Sequence, residues 1–331
     1  MENLTQNDFK NVLNKIKNAR QKAYAQVNAT LLQLYWDIGK YISFKVKQED
    51  WGQNVVTQLA DYIKQSDPGI KGFSSRNLWR MKQFYEVYQD NEKLSAVWSQ
   101  LSWSHNRAIM TLKSTEEREF YLRLCTREKF SVRELERQIN SGTYERMALA
   151  DKKLSPVVKE LPQHTGQIFK DSYVFDFLDL PSSHNEKDLQ KALVASLREF
   201  ILEIGKGFTF VGQEYRIQVG NDDFYIDLLF FHRDLQCLVA FELKVDKFRP
   251  AHLGQLEFYL EALDRDVKKP NENPSIGVLL CREKNDEVVE YALSRSLSPA
   301  VISEYETKLI PKEILRAKLN EFYAILEGGD E

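Results

Sequence analysis

The sequence predicts a helical first part followed by an α/β domain in which helices flank a mixed sheet. Apolar residues recur every three or four positions from residue 9 to about residue 146, which is the period of amphipathic helices. After Asn185 the pattern changes to short β-rich runs that alternate with helical segments. The length of 331 residues also exceeds that of one typical domain. We therefore assign residues 1–150 to a helical domain, 151–184 to a linker and 185–331 to the α/β domain.

Two helix starts can be located in the first part. Ser131 and Glu134 form a capping box, which predicts a helix over Val132–Ile139. After Gly72, a second helix is expected to turn four residues inward (Leu78, Met81, Phe84 and Tyr85) and three basic residues toward solvent (Arg76, Arg80 and Lys82). A glycine turn before a basic helix is typical of helix-turn-helix and winged-helix proteins, in which these basic residues would bind nucleic acid. An ordinary amphipathic helix with a solvated basic face explains the pattern equally well.

The segment between the two parts lacks a clear period. Pro156, Pro162 and Pro181 interrupt it together with several Ser and Gly residues, which predicts a linker. Within it, Tyr173–Leu180 is expected either to add a strand or to dock on a neighbouring element.

The second part is predicted to have the element order αβββαβαβ, followed by a last helix that Pro311 opens. A long helix over Glu186–Gly205 comes first, and the three following strands end in a hairpin whose turn is His232–Leu235. The strands are expected at Phe208–Val211 with Tyr215–Val219 as one bent or paired strand, and at Phe224–Phe231, Gln236–Leu243, Ser275–Leu280 and Ala300–Tyr305. Helices are expected at Pro250–Leu263, Asp286–Leu293 and from Pro311 to about Leu326.

Composition and charge narrow the class of protein. The content of 29% charged and 12% aromatic residues is typical of a folded globular protein, and no apolar run reaches the roughly 18–20 residues of a membrane span. Three widely spaced cysteines and a start without a signal-peptide pattern predict a cytoplasmic protein with reduced thiols. Residues 1–150 contain 23 basic and 17 acidic residues, whereas the remainder contains 23 and 32. This asymmetry favours a polyanionic partner for the first part and a cation for the second.

Three ionisable residues in the predicted hairpin indicate a catalytic site. Glu242 and Lys244 point to the same face of a strand because side chains alternate along it. Asp227 lies earlier, in an apolar strand, with fourteen residues between it and Glu242. An isolated carboxylate is costly in such a strand, but two carboxylates that share a divalent cation offset that cost. Carboxylate oxygens bind Mg²⁺, which polarises a phosphoryl oxygen and activates water, and a lysine beside them stabilises the developing charge. The spacing therefore favours a site for metal-dependent phosphodiester hydrolysis over the alternative, a structural ion pair.

The same pattern resembles the PD-(D/E)XK nuclease superfamily, whose fold is that of the restriction endonucleases. Gln255 and Tyr259 on the next helix are similar to the Gln-x-x-x-Tyr motif of RecB-type members. The whole chain resembles the YhcG-like nuclease family, which joins this domain to an N-terminal helical domain. Seven segments carry the resemblance: Leu34–Gly39, Gly72–Leu78, Leu101–His105, Ser131–Ile139, Gly207–Gly212, Phe224–Phe230 and Phe241–Lys244.

The resemblance implies a role for each residue of the predicted site. Asp227 and Glu242 would bind Mg²⁺, which Mn²⁺ can replace, with the Leu243 carbonyl as a third ligand. Lys244 would be the catalytic lysine. The implied activity is that of a DNA endonuclease, acting on double-stranded DNA or on branched DNA such as a recombination intermediate, or in defence against foreign DNA. The resemblance also favours a homodimer, for which the amphipathic N-terminal helices could supply the interface.

Further residues are candidates with a competing structural role. The resemblance implies that Gln255 and Tyr259 line the site or contact DNA. In resolvase-like members the helix before the strands supplies another carboxylate, and here that is either Glu203 or Glu199.

Lys247, Arg249 and His252 follow the catalytic strand and are candidates for contact with DNA. A solvated loop explains the two basic residues as well, and an ordinary histidine at a helix start explains His252. No glycine-rich phosphate loop is present, so no nucleotide cofactor is expected. Two other functions stay open at this point, a DNA-binding or assembly module that has kept a nuclease fold without turnover, and a nuclease directed at RNA.

Overall fold

The computed structural model describes residues 2–48, 51–149, 168–181 and 183–328. The chain divides into two compact units, Met1–Ile139 and Asn140–Glu331. Among the described residues, no helix is long and apolar enough to cross a membrane.

The described part of the first unit consists of helices, as the sequence predicts. They are α1 (Glu2–Gln48), α2 (Gln53–Ser66), α3 (Ser75–Tyr88), α4 (Ser95–Trp98), α5 (Trp103–Ile109), α6 (Thr115–Glu128) and α7 (Val132–Asn140). The predicted capping box is present, because Glu134 N donates to Ser131 Oγ at 3.3 Å and Ser131 N donates to the Glu134 carboxylate at 2.6 Å. No strand occurs in residues 2–48 and 51–139, so this part of the chain has no β-wing.

Helices α1 and α3 pack closely because Gly39 has no side chain. A Cβ atom at Gly39 would lie 2.0 Å from the Met81 carbonyl oxygen. The inward face of α3 is as predicted for Leu78, Met81 and Phe84, whereas Tyr88 is buried in place of Tyr85. The surrounding core is rich in aromatic rings.

The second unit contains a six-stranded mixed sheet. Its elements are α8 (Thr143–Leu149), β1 (Ser172–Val174), α9 (Glu186–Ala195), α10 (Leu197–Ile204), β2 (Phe208–Val219), β3 (Asp222–His232), β4 (Cys237–Leu243), α11 (Pro250–Ala262), β5 (Ile276–Cys281), α12 (Asp286–Leu293), β6 (Ala300–Glu306) and α13 (Lys312–Gly328). The strand order is β1-β6-β5-β4-β3-β2. Strands β1, β6, β5 and β4 are parallel, while β3 is antiparallel to β4 and to β2. The order of strands and helices predicted from Phe208 onward is confirmed.

Apolar side chains from opposite faces of the sheet form two cores. One core contains Leu189, Phe200 and Phe241, from α9, α10 and β4. The other contains Leu256 of α11 and Val289 of α12. These layers hold α9 and α11 near the end of β4.

Two predicted segments differ from the structure. Ser172–Val174 lies within the predicted linker 151–184 but pairs in parallel with β6, so it is a strand of the sheet. Of the two alternatives expected for Tyr173–Leu180, an added strand is therefore confirmed for its first two residues. The rest of that linker is only partly described, since residues 151–167 and 182 lie outside the described residues. The long helix predicted over Glu186–Gly205 is two helices, because Ser196 leaves the helical conformation with φ −108° and ψ 36°. The units also divide at Ile139/Asn140 rather than near residue 150, and α8 contacts α13.

Candidate active site

The site begins where β3 and β4 separate. Their pairing runs from His232↔Cys237 only to Leu228↔Phe241, so Asp227 lies just beyond the last paired residue. The Asp227 carboxylate then takes the place of the missing strand partner, because Leu243 N donates to Asp227 Oδ2 at 2.8 Å. On its other edge β4 stays paired with β5 through Leu243↔Leu280. The end of the hairpin therefore opens while the backbone of β4 remains fixed.

Glu242 and Lys244 form a buried ion pair beside this opening. Lys244 Nζ lies 2.9 Å from Glu242 Oε1, and the lysine and the glutamate are only 8% and 2% exposed. Burial raises the pKa of Glu242 to about 7, with a further rise from the charge of Asp227 and a partial offset from Lys244. Burial also raises the pKa of Asp227. The hydrogen bond from the Leu243 amide and the charge of Lys244 lower this pKa, but they offset the effect of burial only in part. Burial lowers the pKa of Lys244, but Glu242 and Glu186 outweigh it and the pKa is raised.

The structure brings one further carboxylate to this pair, Glu186, which was not among the predicted site residues. Glu186 Oε2, in the first turn of α9, lies 3.3 Å from Lys244 Nζ. One turn later on the same helix, Gln190 Nε2 donates to the Asp227 carbonyl at 2.7 Å. The capping box between Asn185 and Asp188, which is present in the structure, marks the start of this helix and was the signal that could have identified Glu186.

The two carboxylates expected from the preceding helix lie elsewhere. Glu203 is fully buried, and its Oε1 accepts from Lys170 Nζ and from Val174 N, both at 3.1 Å, with Arg146 Nη1 at 3.6 Å. Glu199 is partly exposed and lies 3.7 Å from the Arg198 guanidinium. Both belong to α10, which the break at Ser196 separates from α9. Glu203 is thus held by basic groups and a backbone amide near β1. The carboxylate of this helical segment that contacts Lys244 is Glu186.

The helix after β4 contributes a polar pair. Gln255 Nε2 donates to Tyr259 Oη at 2.8 Å. Burial raises the pKa of Tyr259, and the charges of Glu242 and Asp227 raise it further, so this hydroxyl lies within the field of the carboxylates. Gly277 in β5 allows the approach of α11, because a Cβ atom there would lie 2.7 Å from the Leu256 side chain.

The donor set fits a hard divalent cation in one specific respect. Glu242 Oε2 is buried and has no hydrogen-bond donor among the described residues, although Glu242 Oε1 is paired with Lys244. A buried carboxylate oxygen without a donor is costly, and a cation bound by Glu242 and Asp227 would remove that cost. Within the described ranges, no three His, Cys, Asp or Glu residues already form a cluster that could hold a metal. The Leu243 carbonyl stays a predicted ligand, whereas its amide is already bonded to Asp227.

The basic residues predicted in the first unit differ in their availability. Arg76 is exposed, and Arg80 is half-buried. Slight desolvation and the neighbouring charges of Arg107 and Arg76 lower the pKa of Arg80. The guanidinium groups of these three arginines are thus close enough to repel one another, and they form one positive cluster. Arg107 was missed because it lies on α5, far from the others in sequence. Lys82 instead forms an ion pair with Glu86 at 2.7 Å.

Three candidates follow β4. Lys247 is exposed, and its backbone forms an isolated parallel β-bridge with that of Glu283. Arg249 is exposed as well, and its guanidinium lies 3.3 Å from the Asp246 carboxylate. His252 Nδ1 accepts from Arg249 N at 3.4 Å, which is the contact of a residue that caps the start of α11.

Comparison with known proteins gives matches to both parts of the chain. The family model described as the YhcG PDDEXK nuclease domain matches residues 166–320, and that of the DUF1016 N-terminal domain matches residues 11–146. The chain is 32% identical over 356 aligned residues to an Escherichia coli (strain K12) protein named "Putative nuclease YhcG", covering 96% of this chain and 94% of that protein.

Two solved structures align with part of this chain. A repair endonuclease from Pyrococcus abyssi aligns at 16% identity with a TM-score of 0.26, covering 40% of this chain and 50% of that one. EndoMS in its apo form aligns at 16% identity with a TM-score of 0.25, covering 40% and 49%.

Proposed function

This chain belongs to the YhcG family of PD-(D/E)XK nucleases, and on that basis we propose that it is a metal-dependent endonuclease that hydrolyses phosphodiester bonds in DNA. The observation that carries the proposal is the buried Glu242 Oε2, which has no hydrogen-bond donor among the described residues although a lysine and a second carboxylate lie beside it. A site without turnover would gain stability from an apolar or neutral residue here. The cluster therefore favours an enzyme over a module that only binds DNA.

In the proposed mechanism, Asp227 and Glu242 hold Mg²⁺, and Mn²⁺ can replace it. When bound, the ion polarises the scissile phosphate and makes water a stronger nucleophile. The Leu243 amide fixes the Asp227 carboxylate, and Gln190 fixes its backbone, so this ligand does not need to reorganise.

Lys244 donates to the oxygens on which charge develops during hydrolysis. Its two carboxylate neighbours keep it protonated at neutral pH, since they raise its pKa. Glu186 holds the other side of the ammonium group and, with Glu242, sets its direction. The Tyr259 hydroxyl and Gln255 extend the site along α11 and can donate to a bound strand.

We assign DNA binding outside the site to the cluster of Arg76 and Arg80, and to Lys247 and Arg249 near β4. Lys82 is the weakest of the predicted contacts, because Glu86 already neutralises it. Double-stranded or branched DNA is the proposed substrate class, in recombination or in defence. A homodimer is the proposed assembly, because it would present one active site to each strand of a duplex. The three buried, unlinked cysteines are compatible with the cytoplasm as the proposed location.

The test is cleavage of supercoiled, linear and four-way-junction DNA with Mg²⁺, Mn²⁺ or EDTA. Asp227→Asn, Glu242→Gln and Lys244→Ala should each lower the rate by at least about 100-fold, the usual loss when a group that stabilises transition-state charge is removed. Glu261→Gln is the matched control on α11, because Glu261 is exposed and pairs only with Arg265 among its described contacts. Its rate should equal that of the unmodified protein.

The outcomes separate the competing functions. Metal-dependent cutting that all three site variants lose supports the proposal, and the ranking of substrates identifies the preferred DNA structure. Cutting of RNA in preference to DNA would replace the substrate. Tight DNA binding without cutting under any metal would favour the binding module and contradict the enzyme.

A further inference from the structure

The long helix α1 carries an apolar stripe on the face opposite its own core. Leu32, Tyr35 and Ile42 are buried toward the rest of the first unit. Every side chain from residue 8 to residue 27 is exposed. A helix in a protein gains most of its stability by packing an apolar face, and residues 8–27, with five basic residues and one acidic residue, are exposed on every side. A second surface is needed to stabilise it.

The exposed residues follow a heptad repeat over about five heptads, from Phe9 to Phe44. Positions alternate by four and three residues, which is the spacing of a coiled-coil seam. The first set of positions is Leu13, Arg20, Val27, Leu34 and Tyr41, and the second is Phe9, Ile16, Ala23, Thr30, Asp37 and Phe44. The large apolar members are 44% to 67% exposed. Only Arg20 and Asp37 are charged.

These two charged positions identify the partner and its direction. In an antiparallel pair of identical helices, the residue numbers of any two facing residues add up to the same value, and that value defines the register. With a sum of 57, Arg20 faces the partner's Asp37. The same register places Leu13 on the partner's Phe44, Ile16 on the partner's Tyr41, Ala23 on the partner's Leu34 and Val27 on the partner's Thr30. Both charges are thus neutralised by one register that also matches every apolar position from 13 to 44.

We propose that two copies of this chain associate through α1 as an antiparallel coiled coil in this register. A parallel pair would set Arg20 against the partner's Arg20 and Asp37 against the partner's Asp37, which is repulsive. A groove of about 610 Å³ lies beside the stripe, between α1 and residues 95–99, and is lined in part by Thr30, Leu34 and Asp37. The partner's residues 20–31 lie along this groove in the proposed register.

Charge exchange tests the pairing in the full-length protein. Each dimer contains two Arg20–Asp37 pairs, so Arg20→Asp or Asp37→Arg turns two attractions into two repulsions and should raise the dimer Kd by about 30-fold. The double variant restores both pairs and should recover the original Kd. Sedimentation equilibrium measures the Kd, and far-UV circular dichroism checks that helix content is kept. Both side chains are exposed, so the fold of the monomer should tolerate the change.

Cysteine cross-linking tests the direction. Ala23→Cys and Leu34→Cys proteins, mixed and oxidised, should form a disulfide-linked heterodimer, whereas neither should link to itself. In the antiparallel pair two copies of residue 23 are about 16 Å apart along the axis, which exceeds the reach of a disulfide. The native cysteines are buried, so they should not compete.

Three results would overturn the proposal. They are self-linking of Ala23→Cys, a double charge variant as weak as the single ones, and a monomer at every concentration. If the protein is monomeric and Arg20→Asp only weakens binding to a DNA duplex, α1 is a basic arm for nucleic acid instead. Dimerisation is measured without cleavage, so its failure would leave the proposed nuclease activity untouched, and the reverse also holds.

Discussion

Replacing Glu242 by Gln should stabilise the metal-free protein at neutral pH even though it should also slow cleavage. Burial and the charge of Asp227 raise the pKa of Glu242 from an ordinary value of 4.5 to about 7, despite the ion pair with Lys244. At 1.36 kcal/mol per pKa unit, ionising this carboxyl costs the folded state about 3 kcal/mol relative to the unfolded chain. Gln has nearly the same shape and cannot ionise, so it avoids this cost.

The cost has a defined pH range. A carboxyl whose pKa is higher in the folded state contributes its full stability below the unfolded pKa, and that contribution is lost as the pH rises through the folded pKa. For Glu242 the free energy of unfolding should therefore fall between pH 4.5 and about pH 7. Urea unfolding in EDTA at a series of pH values measures this fall. The difference between Glu242→Gln and the unmodified protein should be small near pH 4.5 and should reach about 3 kcal/mol by pH 8.

Two controls make the result specific to this site. Glu261→Gln, on the exposed face of α11, should follow the unmodified protein at every pH. Mg²⁺ at one hundred times its Kd should stabilise the unmodified protein by about 2.7 kcal/mol and should have little effect on Glu242→Gln. If Glu242→Gln is less stable than the unmodified protein at pH 8 in EDTA, the charge of Glu242 is already compensated without metal and the reasoning fails.

Three further predictions separate the roles of neighbouring residues. Glu203→Gln breaks a buried ion cluster, so it should lower the free energy of unfolding by about 3 kcal/mol in urea, while the folded variant keeps the rate of cleavage. Glu186→Gln should lower the rate of cleavage at saturating Mg²⁺ by about 10-fold, because Glu186 orients the Lys244 ammonium, whereas Glu199→Gln, at a partly exposed position outside the site, should not. In DNA-binding titrations against salt, Arg76→Ala should reduce the slope by about one, and Lys82→Ala should leave it unchanged because Glu86 already pairs with that lysine. Equal behaviour within either pair of variants would contradict the assigned roles.

Most of the fold was predictable because its local signals agree with the tertiary structure. The hairpin that carries Glu242 was predicted from two β-rich runs with a turn at His232–Leu235 between them, and β3 and β4 are joined by a turn at residues 233–236. The capping box at Ser131 is present for the same reason, since it depends only on residues three apart.

The errors arise where the outcome depends on distant residues. Nothing local marks Ser196 as a break, and the break decides whether Glu199 and Glu203 can follow Glu186 to the site. For Tyr173–Leu180 the sequence left a strand and a docked segment as alternatives, because the strand Ser172–Val174 has only three residues and depends on its pairing with β6. Arg107 joins Arg76 and Arg80 only because separate helices pack together. These contacts carry no signature in a single sequence.

The charge of the site also indicates how it would select its substrate. Three carboxylates, Asp227, Glu242 and Glu186, surround one ammonium group, so the fully ionised cluster has an excess of two negative charges. A phosphodiester also carries a negative charge, and this cluster would repel it. A divalent cation removes the excess and at the same time gives Glu242 Oε2 a partner. In the proposed function, this buried charge would therefore make entry of DNA into the site depend on the cation, while the arginine cluster of the first unit would bind the DNA backbone without it.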